Sequence, residues 1–182
     1  MSIDQLLKEH AQTKSLVKGA HAFRQGDRDE SLYVVQTGLL KAYYILPDGK
    51  ESIKTFLKPG SMIGSLSANY NGGACTFNLV ALQDARLSQL PFTVLLEGAR
   101  KSHEIAREVI EFLLALYMKK EQREYELLSL PAAERYQRLC AEDPDLIEQV
   151  TQNDIALYLG ITPVALSRIK KRLQLSEDGG HH

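Results

Sequence analysis

The feature that most constrains this 182-residue chain is a change in hydrophobic periodicity near Pro91. Before it, short runs of β-branched, aromatic and Leu residues alternate with Gly/Pro turn signals; after it, apolar residues recur with helical spacing. Six strands are predicted, at Val17–Phe23, Ser31–Gln36, Leu39–Leu46, Glu51–Leu57, Cys75–Leu82 and Arg86–Leu90. Such strands at 8–12-residue spacing predict an antiparallel sandwich or barrel, with a hairpin at Pro47-Asp48-Gly49.

One long helix is predicted from Ser102, which can cap it, to about Leu128, because Leu128-Ser129-Leu130-Pro131 disfavours further helix. A helix with two apolar faces must bury both, and we expect one face on the barrel and the other on a second copy of the chain. The alternative is a core helix of a monomer. The two stripes consist of Ile105, Val109, Phe112 and Leu116, which we assign to the dimer interface, and of Ala106, Ile110, Leu113 and Tyr117 beside them.

Composition and charge exclude several classes of protein. The 22 Lys and Arg residues balance 23 Asp and Glu residues, so the whole molecule is not a basic nucleic-acid binder. The longest apolar run, Phe112–Met118, is far shorter than the roughly 20 residues that cross a bilayer, and the N-terminus carries acids where a signal peptide is apolar. Cys75 and Cys140 alone form no disulfide framework or cysteine cluster. We expect a cytoplasmic protein without a membrane partner.

The stretch from Val150 to Leu173 predicts two short helices joined by a turn. Thr151 followed by Asp154 resembles a capping box, and Gly160 supplies the turn. Thr162 can cap the second helix, and Pro163 stands at its first position, where a missing N–H costs nothing. Two short helices joined by a Gly turn are typical of a helix-turn-helix.

The second helix is predicted to separate an apolar face from a DNA-facing one. At about 100° per residue, one side carries Ala165, Leu166, Ile169 and Leu173, and the other carries Val164, Ser167, Arg168 and Lys171. An Arg can fork onto a guanine edge, and a methyl-bearing residue can meet a thymine methyl. Residues 162–173 contain four Lys or Arg and no acid, so positive charge is concentrated here. The alternative interpretation is a solvated helix face.

In their order and spacing these segments resemble the cyclic-AMP receptor protein/fumarate–nitrate regulator (Crp/Fnr) superfamily of bacterial transcription factors. Gln25-Gly26-Asp27 with Leu32–Gly38 is similar to the family's early β-roll signature, Pro59–Gly64 to the entry of its nucleotide-binding cassette, and Thr151–Leu173, with Leu166-Ser167-Arg168, to its helix-turn-helix. The resemblance implies an α+β fold. Its parts are an antiparallel β-roll (jelly-roll) sensor domain at 1–101, a dimerisation helix at 102–129 and a winged-helix-like domain at 130–178. The residues after Leu173 depart from the family because they predict only a truncated wing, and 179–182 is interpreted as an added tail.

The cassette departs from that of the cyclic-nucleotide-binding members. They place a Glu after the cassette glycine and an Arg-Ser pair further on, whereas here Ser65 follows Gly64 and the best match to the pair is Cys75-Thr76. No Lys or Arg occurs from Pro59 to Ala85, and a buried phosphate needs a cation or several aimed N–H groups. No cofactor is therefore evident from the sequence, and we expect that the protein does not bind cyclic AMP in the family's usual way. Gly64, Ser65, Cys75 and Thr76 are the candidate effector-pocket residues.

Histidine placement argues against a metal, a haem or an enzyme. His21 and His103 are isolated, and the predicted barrel strands include only His21. A metal-binding jelly-roll enzyme needs clustered His and acid ligands on those strands. Cys75 is interpreted as a small buried hydrophobe in preference to a redox sensor.

The resemblance implies a homodimeric regulator that sets its second helices in successive major grooves of an inverted repeat in double-stranded DNA, with half-sites about 34–36 Å or a multiple apart. Thr151 and Gln152 are assigned to phosphates, Ser167, Arg168 and Lys171 to bases, Val164 to an apolar contact, and Thr162 to the N-terminus of the reading helix. RNA polymerase and an effector of unknown identity are further candidate partners. The rival hypothesis is a small-molecule sensor that has lost DNA binding, motivated by Pro163 and Val164 where some members have charged residues, and by the short wing.

Overall fold

The computed structural model describes residues 2–178, which form two compact units. The first unit extends through Tyr117 and the second begins at Met118. The border therefore falls inside the long helix, whereas the predicted division placed borders at its two ends.

Eight strands lie among the described residues of the first unit, in two four-stranded antiparallel sheets. The strands are β1 (Gln12–Leu16), β2 (His21–Phe23), β3 (Ser31–Thr37), β4 (Leu40–Ile45), β5 (Glu51–Leu57), β6 (Met62–Ile63), β7 (Asn78–Ala81) and β8 (Ala85–Pro91). One sheet has the order β1-β8-β3-β6 and the other β2-β7-β4-β5. The predicted hairpin joins β4 to β5. The predicted fold class, a β-roll followed by a long helix and C-terminal helices, is confirmed.

Two strand predictions are wrong in their boundaries. The first strand is Gln12–Leu16, and most of the predicted Val17–Phe23 strand is a turn in which Val17 is exposed. Cys75 lies in a loop before β7 because its backbone pairs with another loop instead of a strand. Its N–H donates to the Asp27 carbonyl at 2.7 Å, and its carbonyl accepts from the Gly26 N–H at 2.8 Å.

Aromatic rings fill the space between the two sheets. The Phe23 ring lies 5.9 Å from Tyr33 and 5.2 Å from Phe77, centroid to centroid. The turn after β3 packs closely on this barrel. Gly38 has a φ of 90°, and a Cβ there would lie 2.5 Å from the Asp84 carbonyl oxygen, so only glycine fits.

Three further helices pack within the first unit and were not predicted: α1 (Ile3–His10), α2 (Leu66–Asn71) and α3 (Phe92–Lys101). Ser2 and Gln5 form a capping box at the start of α1. Ile3 and Leu6 of α1 are buried in one cluster with Leu95 of α3. Ile105 of the following long helix is buried in this same cluster, so the cluster determines which apolar face of that helix packs within the first unit.

The long helix α4 (His103–Ser129) confirms the predicted one, and Pro131 follows it as expected. The second unit continues with α5 (Ala132–Glu142), α6 (Pro144–Gln149), α7 (Gln152–Leu159) and α8 (Pro163–Asp178). Helix α8 stays helical through Asp178, so residues 163–178 contain no wing strand. The predicted tail at 179–182 lies outside the described residues. Within the described part of the chain, no helix is both long and apolar enough to cross a membrane.

Candidate nucleic-acid interface

The first helix of the motif begins at a side-chain cap. The Thr151 hydroxyl accepts from the Asp154 N–H at 3.1 Å, and it donates to the Asp154 carboxylate at 2.7 Å. The carboxylate therefore orients the capping hydroxyl. This confirms Thr151 as the cap of α7 and leaves it, with Gln152, exposed at the helix N-terminus.

The turn between α7 and α8 has the predicted chemistry. Gly160 adopts a φ of 69°, and the Ile161 N–H donates to the Ala156 carbonyl at 3.0 Å. The Thr162 hydroxyl then accepts from the Ala165 N–H at 3.2 Å, and Pro163 is the first residue of α8. Because the turn is short and capped on both sides, α8 is held in a fixed direction relative to α7.

The two faces of α8 are separated as the sequence predicts. Leu166 is 1% exposed and Ile169 is buried, as are Ile155 and Leu159 of α7. Val164, by contrast, is 61% exposed. Ser167, Arg168 and Lys171 are exposed on the same side. Their roles at bases stay predictions.

The outer face of α8 is cationic, and the part of the chain that the structure describes offers it no carboxylate partner. Among the described residues, no ion pair engages Arg168, Lys171 or Arg172. Lys170 instead donates to the side-chain oxygen of Gln152 at 2.9 Å. This contact joins α8 to the N-terminus of α7, and nothing in the sequence pointed to it, because the two residues are 18 positions apart. Cationic side chains free of carboxylates can pair with phosphates.

The four predicted effector-pocket residues do not share one environment. Ser65 and Cys75 are each 2% exposed, whereas Thr76 is exposed, and the assignment of these residues to an effector pocket stays a prediction. A Cβ on Gly64 would lie 2.6 Å from the Asn69 side-chain nitrogen. Burial raises the pKa of the Cys75 thiol, which favours its interpretation as a small buried hydrophobe over a reactive thiol.

Lys14 and Lys54, which no sequence motif marked, approach the aromatic core from strands outside the cassette. Lys14 donates to the Tyr33 hydroxyl at 3.4 Å, and its Nζ lies 5.4 Å from that ring. Lys54 donates to the Tyr44 hydroxyl at 3.2 Å, and its Nζ lies 5.0 Å from the Phe77 ring. The barrel therefore has cations outside the cassette, and each of them is engaged by aromatic side chains.

The two histidines lie apart and have different surroundings. His21 Nε2 lies 3.0 Å from the Tyr43 hydroxyl, and burial lowers the pKa of the imidazole. His103 is exposed at the start of α4. Among the described residues, no group of three or more His, Cys, Asp or Glu side chains could hold a metal ion.

The dimer-interface assignment on α4 needs correction. Ile105 is 0% exposed and belongs to the core cluster formed with α1 and α3, and Val109 packs against that cluster. The prediction that Ile105 faces a partner is wrong because α1 and α3, which were not predicted, cover it. Phe112 and Leu116 are half-buried. The exposed apolar stripe of α4 consists of Ile110, Leu113, Leu114 and Tyr117.

The chain is similar to known proteins over most of its length. Residues 13–102 match the model of the cyclic nucleotide-binding domain. The chain is 30% identical over 186 residues to the "Anaerobic regulatory protein" of Aggregatibacter actinomycetemcomitans, covering 94% of this chain and 70% of that protein. It is 29% identical over 188 residues to the "Fumarate and nitrate reduction regulatory protein" of Escherichia coli K12, covering 96% and 73%. The structure of FixK2 from Bradyrhizobium japonicum superposes with a TM-score of 0.79 at 22% identity, covering 92% of this chain and 86% of that one.

Proposed function

The chain belongs to the Crp/Fnr family of transcription regulators, and we propose that it acts as a homodimer that binds double-stranded DNA sequence-specifically. The observation that carries the proposal is the outer face of α8. Helix α8, which follows a short turn and is capped by Thr162, presents Ser167, Arg168 and Lys171 to solvent. None of these three side chains pairs with a carboxylate among the described residues. The proposed role is that of a regulator, not an enzyme.

In the proposed complex α8 enters the major groove with its N-terminal half toward the bases. Arg168 has the fork that matches the O6 and N7 atoms of a guanine, and the exposed Val164 offers methyl groups to a thymine. Thr151 and Gln152 stand at the N-terminus of α7, where N–H groups and the helix dipole favour a phosphate. The Lys170–Gln152 bond would bring a cation to that same phosphate.

The second copy of the chain is proposed to cover the exposed apolar stripe of α4. Leu113 is 42% exposed and Tyr117 is 66% exposed, on a face beside the one that packs on α1 and α3. Exposed apolar side chains at helical spacing are buried when two such helices pair. The pairing would set two α8 helices one turn of DNA, or a multiple, apart.

We further propose that the protein does not bind cyclic AMP in the family's usual manner. Buried Ser65 and Cys75 occupy the positions of the missing Glu and Arg, and neither can neutralise a phosphate. Lys14 on β1 and Lys54 on β5 are held on aromatic rings and hydroxyls, on strands outside the cassette. An effector of another kind and RNA polymerase are proposed as further partners.

Selection from a randomised duplex pool by the purified, ligand-free protein, followed by sequencing, tests the proposed function. An enriched inverted repeat with half-sites a helical turn or two apart is the expected result. Enrichment that appears only after a cell extract of small molecules is added would still support DNA binding and would establish an obligatory effector. No enrichment under either condition contradicts the proposal and favours a sensor that has lost DNA binding.

A further inference from the structure

Two arginines cap the C-terminus of α7, the end opposite to the proposed phosphate contacts of Thr151 and Gln152. Arg123, on α4, donates from its Nη2 to the Tyr158 carbonyl at 2.8 Å, and its guanidinium carbon lies 3.8 Å from the centre of the Tyr158 ring. Arg135, on α5, donates to the Leu159 carbonyl at 2.8 Å. Two different helices therefore contact successive carbonyls of the same helix end.

These bonds complete the hydrogen bonding of the helix end. The last four carbonyls of an α-helix lack partners within the helix. In α7 the carbonyls of Ala156 and Leu157 accept from the Gly160 N–H, and those of Tyr158 and Leu159 accept from the two arginines. Cations at a helix C-terminus also oppose the negative end of the helix dipole. The arrangement thus stabilises the docking of α7 by charge-assisted bonds.

Arg135 also binds the end of α4. Its Nη1 donates to the carbonyl of Leu130, the residue that follows the helix, at 2.6 Å. One planar guanidinium therefore joins the residue that follows α4 to the last residue of α7. The space among these helices is about 30 Å³, room for about one water molecule.

We propose that Arg123 and Arg135 form an arginine clamp that fixes the helix-turn-helix on the C-terminal turns of α4 and thereby sets the half-site spacing that the dimer accepts. The reason is mechanical. Helix α8 is tied to α7 by the Gly160 turn and the buried Leu166 and Ile169, so an α7 that is locked to α4 places α8 as well. The inference rests on the proposed function, since DNA spacing is one of its two readouts. Both arginines are positioning residues, because neither lies on the outer face of α8.

A spacing series tests the clamp. Two selected half-sites are placed in duplexes whose separation increases by one base pair at a time, and Kd is measured for the parent, Arg123→Met and Arg135→Met. The parent should bind best at one spacing. Each clamp variant should lose at least about tenfold of the discrimination between that spacing and one half a turn away, because each subunit loses at least one charge-assisted bond. Affinity for a single half-site should stay within about twofold.

Arg138→Met is the matched control. Arg138 is on the same helix as Arg135 and lines the same space, but it pairs with Glu126 and Glu134 instead of α7. It should keep the parent's spacing profile. Arg135→Lys should restore the discrimination only in part, because a lysine lacks the fork that reaches two carbonyls at once.

Amide hydrogen exchange supplies a readout that needs no DNA. In both clamp variants the amides of α7 should exchange about tenfold faster than in the parent, while those of β3 and β8 are unchanged. If the parent enriches no inverted repeat, the proposed function fails and exchange alone decides the clamp. Parent-like exchange in α7 of the clamp variants would overturn it, as would a parent-like spacing profile or an equal effect of Arg138→Met. If Arg135→Met does not fold, Arg123→Met decides in the same way.

Discussion

Replacing Arg168 by alanine tests the proposed reading of DNA without disturbing the fold. Its side chain is exposed and makes no hydrogen bond or ion pair with the other described residues, so Arg168→Ala should leave the thermal unfolding temperature unchanged. A bidentate contact to guanine contributes about 1–3 kcal/mol. A homodimer loses two such contacts, which together contribute about 2–6 kcal/mol. The Kd of Arg168→Ala should therefore be higher than that of the parent by a factor between about 30 and about 10⁴.

Fluorescence anisotropy with the selected duplex measures this loss, and a second duplex assigns it to a base. When the contacted guanine is replaced in both half-sites, the parent should lose affinity and Arg168→Ala should not, because its contact is already gone. Arg28→Ala is the control, since Arg28 is exposed in the barrel unit and the substitution changes the charge equally. The reasoning is refuted if Arg168→Ala binds both duplexes as the parent does, or if Arg28→Ala weakens binding as much.

Three further outcomes follow from the barrel and from α4. In urea denaturation, the free energy of unfolding of Gly38→Ala should be about 1–3 kcal/mol lower than that of Gly26→Ala. Both glycines have a positive φ, but only at Gly38 would a Cβ meet the Asp84 backbone. Equal losses of unfolding free energy in the two variants would contradict this. Leu113→Glu should shift the chain from dimer to monomer in sedimentation experiments, whereas Lys119→Glu, on the opposite side of α4, should not; a dimer that survives Leu113→Glu places the interface elsewhere. Cys75 should react with a thiol reagent only as fast as the barrel opens, since its side chain is buried and burial raises the pKa of its thiol. Peptide mapping separates its labelling from that of the half-buried Cys140, and rapid labelling of Cys75 in the native protein would contradict this.

The helix-turn-helix could be predicted from its sequence because its determinants are local. Thr151 caps the helix that follows it, Gly160 adopts the conformation that other residues avoid, and Pro163 begins a helix at the one position suited to it. The direction of each α8 side chain follows from helical geometry alone. None of these features depends on a distant part of the chain.

Which apolar stripe of α4 is buried within the chain could not be predicted in the same way. Its two apolar stripes are equivalent in sequence, and the choice between them depends on α1 and α3, which pack on Ile105. A local signal for α1 was present, since Ser2 and Gln5 have the spacing of a capping box. With that helix recognised, a second apolar surface competing for α4 would have been evident.

The contacts of the barrel lysines and of the clamp arginines could not be predicted from the sequence either. Lys14 shares a face of β1 with the buried Leu16, so strand periodicity places it toward the interior, but only the fold brings it to Tyr33. Arg123 and Arg135 bond backbone carbonyls 35 and 24 positions away. A carbonyl acceptor has no side-chain identity, so no sequence pattern marks such a pair.

The central claim is that this chain distinguishes one DNA sequence from another, and its specificity ratio tests that claim most directly. Kd is measured for the selected duplex and for a scrambled duplex of equal length, in the same buffer and at several salt concentrations. Specific binding should be at least about 10³-fold tighter, and both affinities should fall as salt rises because the cations of α8 contact phosphates. Equal affinity for the two duplexes, or no binding to either, would contradict the account.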